Sequence, residues 1–363
     1  MKKLLALILV LTMSLFAFVG CAQEKPAVEE PTTEEPTVEE PSTEEPTTEE
    51  PAAEGAVKTG LAVVTSVEKS KDATADAEGV GQSDSVVVAV TVDQDGKVVK
   101  AAIDTAQTKI NFSTEGKVTS DLTTVYKSKQ ELKEEYGMSK ASKIGKEWYE
   151  QANALADYFV GKTAEEIKAI PTDDSGVPTD ADLVSSVTIK INGYKEAVEK
   201  AIANAQDLGA TADDKLGLGV VTTIAKSKDA AADAEGQTQA YSIYTATTFD
   251  ADGNITSNVA DASQANVKFD ATGKITTDLT AAVKTKVELG DEYGMRKASK
   301  IGKEWFEQAA SFSEFAAGKT IEDLKAIEVD ETGHVTDADL VSSVTVGIED
   351  FNIAIEKALA SAK

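Results

Sequence analysis

The chain has 363 residues, 41% of them hydrophobic, and a formal net charge of −27. That supplies apolar material for two or three folded cores, while the acidity speaks against nucleic acid, which needs clustered Lys and Arg, and against electrostatic adhesion to anionic lipid. One cysteine, Cys21, and one histidine, His334, exclude an internal disulfide, a Cys/His zinc site, an iron–sulfur cluster and C-x-x-C-H haem.

The N-terminus reads as a targeting device. Met1-Lys2-Lys3 is a basic start, and Leu4 to Val19 is an apolar run shorter than a comfortable membrane span. It ends in Phe18-Val19-Gly20-Cys21, which resembles a bacterial lipobox. The expectation is a lipoprotein signal peptide over 1–20 and a mature chain held by acyl groups on Cys21. Lipidation would also account for a single unpaired thiol in a secreted protein.

Residues 21–56 read as a disordered, lipid-anchored spacer. Prolines recur every five residues from Pro26 to Pro51, with Thr and Glu between them, and twelve Glu stand against one Lys from Ala22 to Ala56. Such a segment cannot bury a core and is extended by self-repulsion. At about 3.1 Å per residue it reaches roughly 100 Å, enough to lift the folded part of the chain off a membrane and into a cell wall.

Everything after the spacer is a tandem repeat. Gly60, Gly79, Gly96, Gly116, Gly161 and Gly176 match Gly217, Gly236, Gly253, Gly273, Gly318 and Gly333, at a constant offset of 157. A period that long means two whole domains rather than a solenoid. They are placed at 57–207 and 215–363, joined by a short Gly/Ala/Asp linker.

Each copy reads as α+β. GLAVVTSVE, SVVVAVTV and KVVKAAI are strand-like, and Asp93-Gln94-Asp95-Gly96 is a hairpin turn between the last two, as Asp250-Ala251-Asp252-Gly253 is in copy two. A calcium reading of D-x-D-G lacks the rest of an EF-hand loop. Apolar spacing through Ile144, Trp148, Leu155 and Phe159 predicts a helix over Ser139–Val160 with Gly161 at its C-cap. Thr163-Ala164-Glu165-Glu166 is a capping-box start for a short helix ending near Ile170. SVTIKI reads as a brief strand, and Asn192 (Asp350 in copy two) as the cap of a final helix. Gly161-Lys162-Thr163 has the look of a P-loop end, but position 156 is Ala156 rather than the required glycine. His334, in ETGH, reads as a solvated turn residue.

Two stretches stay nearly unchanged between the copies while the strands drift. One is EYGM-x-KASKIGKEW, at Glu135–Trp148 and Glu292–Trp305; the other is TDADLVSSVT, at Thr179–Thr188 and Thr336–Thr345. Core packing accounts for Ile144 and Trp148. It does not account for Asp182, Ser185, Ser186 and Thr188, which are polar and poor helix or strand formers.

Asp-x-x-Ser-Ser-Val-Thr resembles the flavinylation motif of the FMN-binding domain family, usually Asp-x-x-Ser/Thr-Gly-Ala-Thr, with Ser-Val here where Gly-Ala is common. The lipobox, acidic spacer and doubled motif together are similar to the flavinylated lipoproteins of Gram-positive extracellular electron transfer, over Cys21 to Lys363. The resemblance implies two tandem homologous FMN-binding-like domains. It implies two covalent FMN groups, attached by an FAD-using FMN transferase through phosphoesters to Thr188 and Thr345. Asp182, Ser185 and Ser186, with Asp339, Ser342 and Ser343, would be the recognition residues. A flavin ring needs aromatic or soft apolar walls; Tyr136, Met138 and Trp148, with Tyr293, Met295 and Trp305, are candidates. Lys129, Lys140 and Lys143 (Lys286, Lys297 and Lys300) are candidates to meet phosphate or flavin oxygens. A threonine hydroxyl is a weak nucleophile, and the motif offers no base beside it, so activation is assigned to the transferase.

The expected function is an electron carrier more than an enzyme with a substrate pocket. It would sit on the outer face of the membrane and relay electrons from a quinol-linked donor to extracellular acceptors such as ferric iron or free flavins. The other reading is a non-redox cell-wall or ligand-binding lipoprotein with a structural repeat.

Overall fold

The computed structural model describes residues 55–363; the expected signal peptide, Cys21 and the spacer up to residue 54 lie outside the described residues. The chain is α+β. Copy one supplies β1 (Ala56–Ser66), β2 (Gly79–Val92), β3 (Val98–Phe112), α1 (Lys129–Leu132), α2 (Trp148–Phe159), α3 (Ala164–Lys168), α4 (Asn192–Ala203) and β4 (Gln206–Thr211). Copy two supplies β5 (Lys215–Thr223), β6 (Gly236–Phe249), β7 (Ile255–Phe269), α5 (Lys286–Leu289), α6 (Trp305–Ala316), α7 (Ile321–Lys325) and α8 (Glu349–Ser361). The strands form two antiparallel sheets, ordered β3-β2-β1-β4 and β5-β6-β7.

The apolar strand run has a simple cause: both faces of each sheet are covered. On β1 and β2, Ala62, Val88 and Val90 pack against helices α2 and α4, in one core with Trp148, Leu155, Phe159 and Val198. The alternate residues Leu61, Val63, Val87 and Ala89 meet Leu216, Leu218, Val220 and Tyr244 of the second sheet. The period of two along a strand thus feeds two different cores, in a helix–sheet–sheet–helix arrangement. Gly60 and Gly217 permit the close approach of α4 and α8, because a Cβ on either would lie 2.0 Å from Ala201 O or Ala358 O.

The two copies meet through a local two-fold exchange, residue i against j and i+157 against the copy of j. Ala73 N–H donates to Gly273 O at 2.8 Å, and Ala230 N–H to Gly116 O at 2.7 Å. The Asp72 carboxylate accepts from Ile275 N–H, as Asp229 accepts from Val118 N–H. Lys200 pairs with Glu288, and Lys357 with Glu131. Phe112 and Phe269 stack on the axis, 4.2 Å apart and 5° from parallel.

Several expectations held and several need correction. The Asp93 and Asp250 turns join β2 to β3 and β6 to β7, with Gly96 and Gly253 at positive φ and the aspartates accepting from turn amides. The Thr163–Glu166 capping box is present. Gly161 follows the C-cap Val160 at φ 80. The helix expected from Ser139 begins only at Trp148: Gly145 takes φ 68, and the Glu147 side chain closes a capping box with Glu150. SVTIKI is no strand but irregular chain leading into α4, with Val187 and Ile191 buried in the core. Asn192 is the first helical residue with Ile191 at the cap position, and in copy two the helix starts at Glu349 after Ile348, before Asp350. Much of the expected linker is strand: Gln206–Thr211 pairs with β1 as a fourth strand.

Candidate functional site

TDADLVSSVT folds as consecutive tight turns. Val184 N–H donates to Asp180 O at 3.0 Å and Val187 N–H to Leu183 O at 2.9 Å. Leu183, Val187 and Ile191 recur every fourth residue and are all fully buried, so they anchor the segment as a helical turn would. Asp182 and Ser185 are left exposed, with Ser186 and Thr188 half-buried. Copy two repeats this: Leu340, Val344 and Ile348 are buried, Asp339 and Ser342 exposed, Ser343 and Thr345 half-buried.

Each threonine is held by a buried glutamine of the neighbouring helix. Thr188 N–H and Oγ1–H both donate to Gln151 Oε1, at 2.8 and 3.2 Å. Thr345 does the same with Gln308 Oε1, at 2.8 and 3.1 Å. The far end of the amide is fixed as well: Gln151 Nε2 donates to Ser142 Oγ and Lys146 O, and Gln308 Nε2 to Ser299 Oγ and Lys303 O.

The EYGM segment leaves helix and becomes a tied loop. A 3-10 turn over Lys133–Tyr136 ends at Gly137 in the left-handed region. The buried Glu147 carboxylate then accepts from Met138 N–H at 2.7 Å and Ser139 N–H at 3.0 Å. Glu304 does the same for Met295 and Arg296. This clip places Tyr136 and Met138 half-buried against the helical core that contains Trp148.

A lysine is buried beside these rings. Lys129 Nζ sits 4.6 Å from the Tyr136 centroid and 5.3 Å from Trp148. Lys286 Nζ sits 4.6 Å from Tyr241, 4.7 Å from Tyr293 and 4.8 Å from Trp305. Cation–π attraction offsets part of the desolvation, yet burial still pulls Lys286 down from 10.5 to about 8, against the opposing attraction of Asp261. Beneath it, burial pushes Asp261 from 3.8 up to about 6, although Thr285 and the Val287 and Ala262 amides favour its charged form. Asp104 is raised to about 6 in copy one, by burial again.

In copy two the residues surround a cavity of about 650 Å³. Tyr293, Met295, Trp305, Lys286 and Thr345 line it, with Tyr241, Phe351, Lys300 and His334. Three expected wall residues are therefore brought to one hollow with the expected attachment threonine. Trp305 stacks on Phe351 at 5.8 Å. The volume falls in the range of small-molecule sites, and the lining pairs aromatic faces with a cation, which suits a planar anionic ligand. Asp339 and Ser342 face solvent instead, as do Lys140, Lys143 and Lys297. His334 is an exposed turn residue whose backbone N–H donates to the Asp330 carboxylate, and it is among the residues lining the cavity. In copy one Trp148 Nε1–H donates to Tyr194 Oη at 3.2 Å.

Comparison with known proteins finds no matching family model, no similar curated protein and no similar solved structure.

Sequence reasoning missed the glutamines, the glutamate clips, Tyr241 and Phe351. For Gln151 a signal existed. It falls on the apolar stripe of α2, between Trp148 and Leu155, and a polar residue there needs a buried partner. Tyr241 carried no such signal, since its place in copy one is held by Asp84, bound by Lys69, Gln82 and Gln107.

Proposed function

We propose that the protein is a surface-anchored electron carrier with two covalent FMN groups, on Thr188 and Thr345, in two homologous FMN-binding-like domains. The observation that carries this reading is the cavity of about 650 Å³ that has Thr345 at its lining, together with Tyr293, Met295, Trp305 and a buried lysine. These residues fit the group: the rings and thioether offer flat apolar contact, and Lys286 offers positive charge near an anionic edge. When bound, FMN supplies exchange of one or two electrons, which lets one site connect a two-electron donor with a one-electron acceptor.

The chain's own part is binding and orientation. Glu304 fixes the loop that carries Met295, so the wall is set before any ligand arrives. Phe351 backs Trp305 and keeps its ring from rotating freely. Lys286 is fixed among three rings and, with a value near 8, is mostly charged at neutral pH. Asp339 and Ser342 are exposed on the turn before the threonine, where a transferase can read them. Asp182 and Ser185 offer the same address in copy one.

Lipidation at Cys21 and the acidic spacer would hold this unit outside the membrane. A quinol-linked membrane donor and extracellular acceptors, such as ferric iron or free flavins, complete the relay. The test is the intact mass and flavin fluorescence of the denatured protein, taken from a host that has the transferase. Two FMN per chain are expected, falling to one in Thr188→Ala or Thr345→Ala and none in the double variant. Flavin that washes away on denaturation would refute the reading.

A further inference from the structure

Two polar segments stay unchanged between the copies, and the structure joins them through one side chain. Gln151 Nε2 donates to Ser142 Oγ of the KASKIGKEW segment, while its Oε1 accepts from Thr188 of TDADLVSSVT. Gln308 makes the same bridge between Ser299 and Thr345. Both glutamines are fully buried on the apolar face of their helix. Packing alone would be served better there by an apolar residue of similar volume, since a buried amide is costly unless every group is paired.

The amide can face only one way. Thr188 N–H is a donor without acceptor capacity, so it must meet Oε1 and not Nε2. The hydroxyl proton is drawn to the same oxygen. The lone pairs of Thr188 Oγ1 then point away from the buried amide. Thr345 has the same geometry, and there the threonine lines the open cavity.

We propose that Gln151 and Gln308 are the positioning residues for covalent attachment, each holding its threonine in the one rotamer that presents Oγ1 lone pairs outward. The proposal rests on the flavinylation reading above and deepens it. In the step concerned, Thr Oγ1 forms a bond to the FMN-side phosphorus of a flavin adenine dinucleotide. The phosphoanhydride P–O bond breaks, AMP leaves with the bonding pair, and the threonyl proton, released from the glutamine Oε1 as the hydroxyl turns about Cβ–Oγ1, passes to a base of the transferase. The amide takes no proton; it orients the hydroxyl. His334 has no part in what the two copies share, because Val177 stands in its place in copy one.

The duplication supplies an internal control. In the full chain incubated with transferase and flavin adenine dinucleotide, incorporation is followed by mass at each threonine. Gln308→Met keeps the volume and removes the acceptor. Its rate at Thr345 should fall roughly 100-fold, as for a misplaced reacting group, while Thr188 is modified at the wild-type rate. Gln308→Glu in its protonated form restores both the acceptor for Thr345 and the donor to Lys303 O. It should therefore recover most of the rate at low pH and lose it as pH rises through the range of that buried carboxyl; a merely structural role would not give recovery at Thr345 alone with that profile. Full-rate modification of Thr345 in Gln308→Met overturns the proposal. So does loss at both threonines, which marks a global effect, or a Gln308→Glu variant no better than Gln308→Met. A wild-type chain that takes up no FMN would instead overturn the underlying reading.

Discussion

The two copies agree at the threonine and disagree at the wall that faces it. Thr188–Gln151–Ser142 and Thr345–Gln308–Ser299 superpose in every hydrogen bond and differ by no more than a few tenths of an ångström in length. Around them, Asp84 stands opposite Tyr241, Tyr194 opposite Phe351 and Val177 opposite His334. On the proposed reading, a feature read twice by one transferase has reason to stay fixed, whereas the residues around each flavin would be free to differ. The comparison therefore separates the address from the environment, two things a single copy would leave mixed.

The largest effects should come from what the copies hold in common. Leu183→Ala and Leu340→Ala remove matched, fully buried anchors, and each should cost about 2–5 kcal/mol in denaturant unfolding. Unequal losses would break the claimed equivalence of the two turns. Next come the buried carboxylates. Asp104 and Asp261 bind a proton more tightly folded than unfolded, with values near 6. The stability they add is present at low pH and is lost as pH rises from about 4 through 6. Asp261→Asn keeps an acceptor for the Val287 and Ala262 amides and should flatten that decline by on the order of 2 kcal/mol, as should Asp104→Asn.

Lys286 gives the opposite slope. Its folded value of about 8 lies below 10.5, so the unfolded chain holds more protons between those limits and stability rises with pH across them. Lys286→Met should remove that rise and raise stability at neutral pH, as read from melting curves over pH. A profile unchanged in the variant would mean the lysine is better solvated than its aromatic surroundings imply. The smallest effect belongs to the exposed ion pairs Lys127–Glu135 and Lys284–Glu292, both at 2.9 Å. Lys127→Ala and Lys284→Ala should each cost under about 1 kcal/mol, and equally.

Strands, hairpin turns and capping boxes were legible because their signals are local: short β-branched apolar runs, Asp-x-Asp-Gly and Thr-x-x-Glu each act within a few residues. The long helix over Ser139–Val160 was misread because apolar spacing continues through Ile144 while Gly145 and the Glu147 clip break the helix. β4 was invisible because Gln206–Thr211 is mostly exposed and pairs with β1, more than a hundred residues away in sequence. Of the candidate site, the threonines and the Tyr, Met and Trp walls stood out through repetition. The bond from each threonine to a glutamine 37 residues earlier was not readable, since it depends on how α2 and α6 cross the turn.

Peptide mass mapping of protein made alongside the transferase tests the central claim most directly. Two peptides, one holding Thr188 and the other Thr345, should each carry one FMN by a phosphoester that survives denaturation. Unmodified threonines in both peptides, or flavin attached at any other residue, would contradict it.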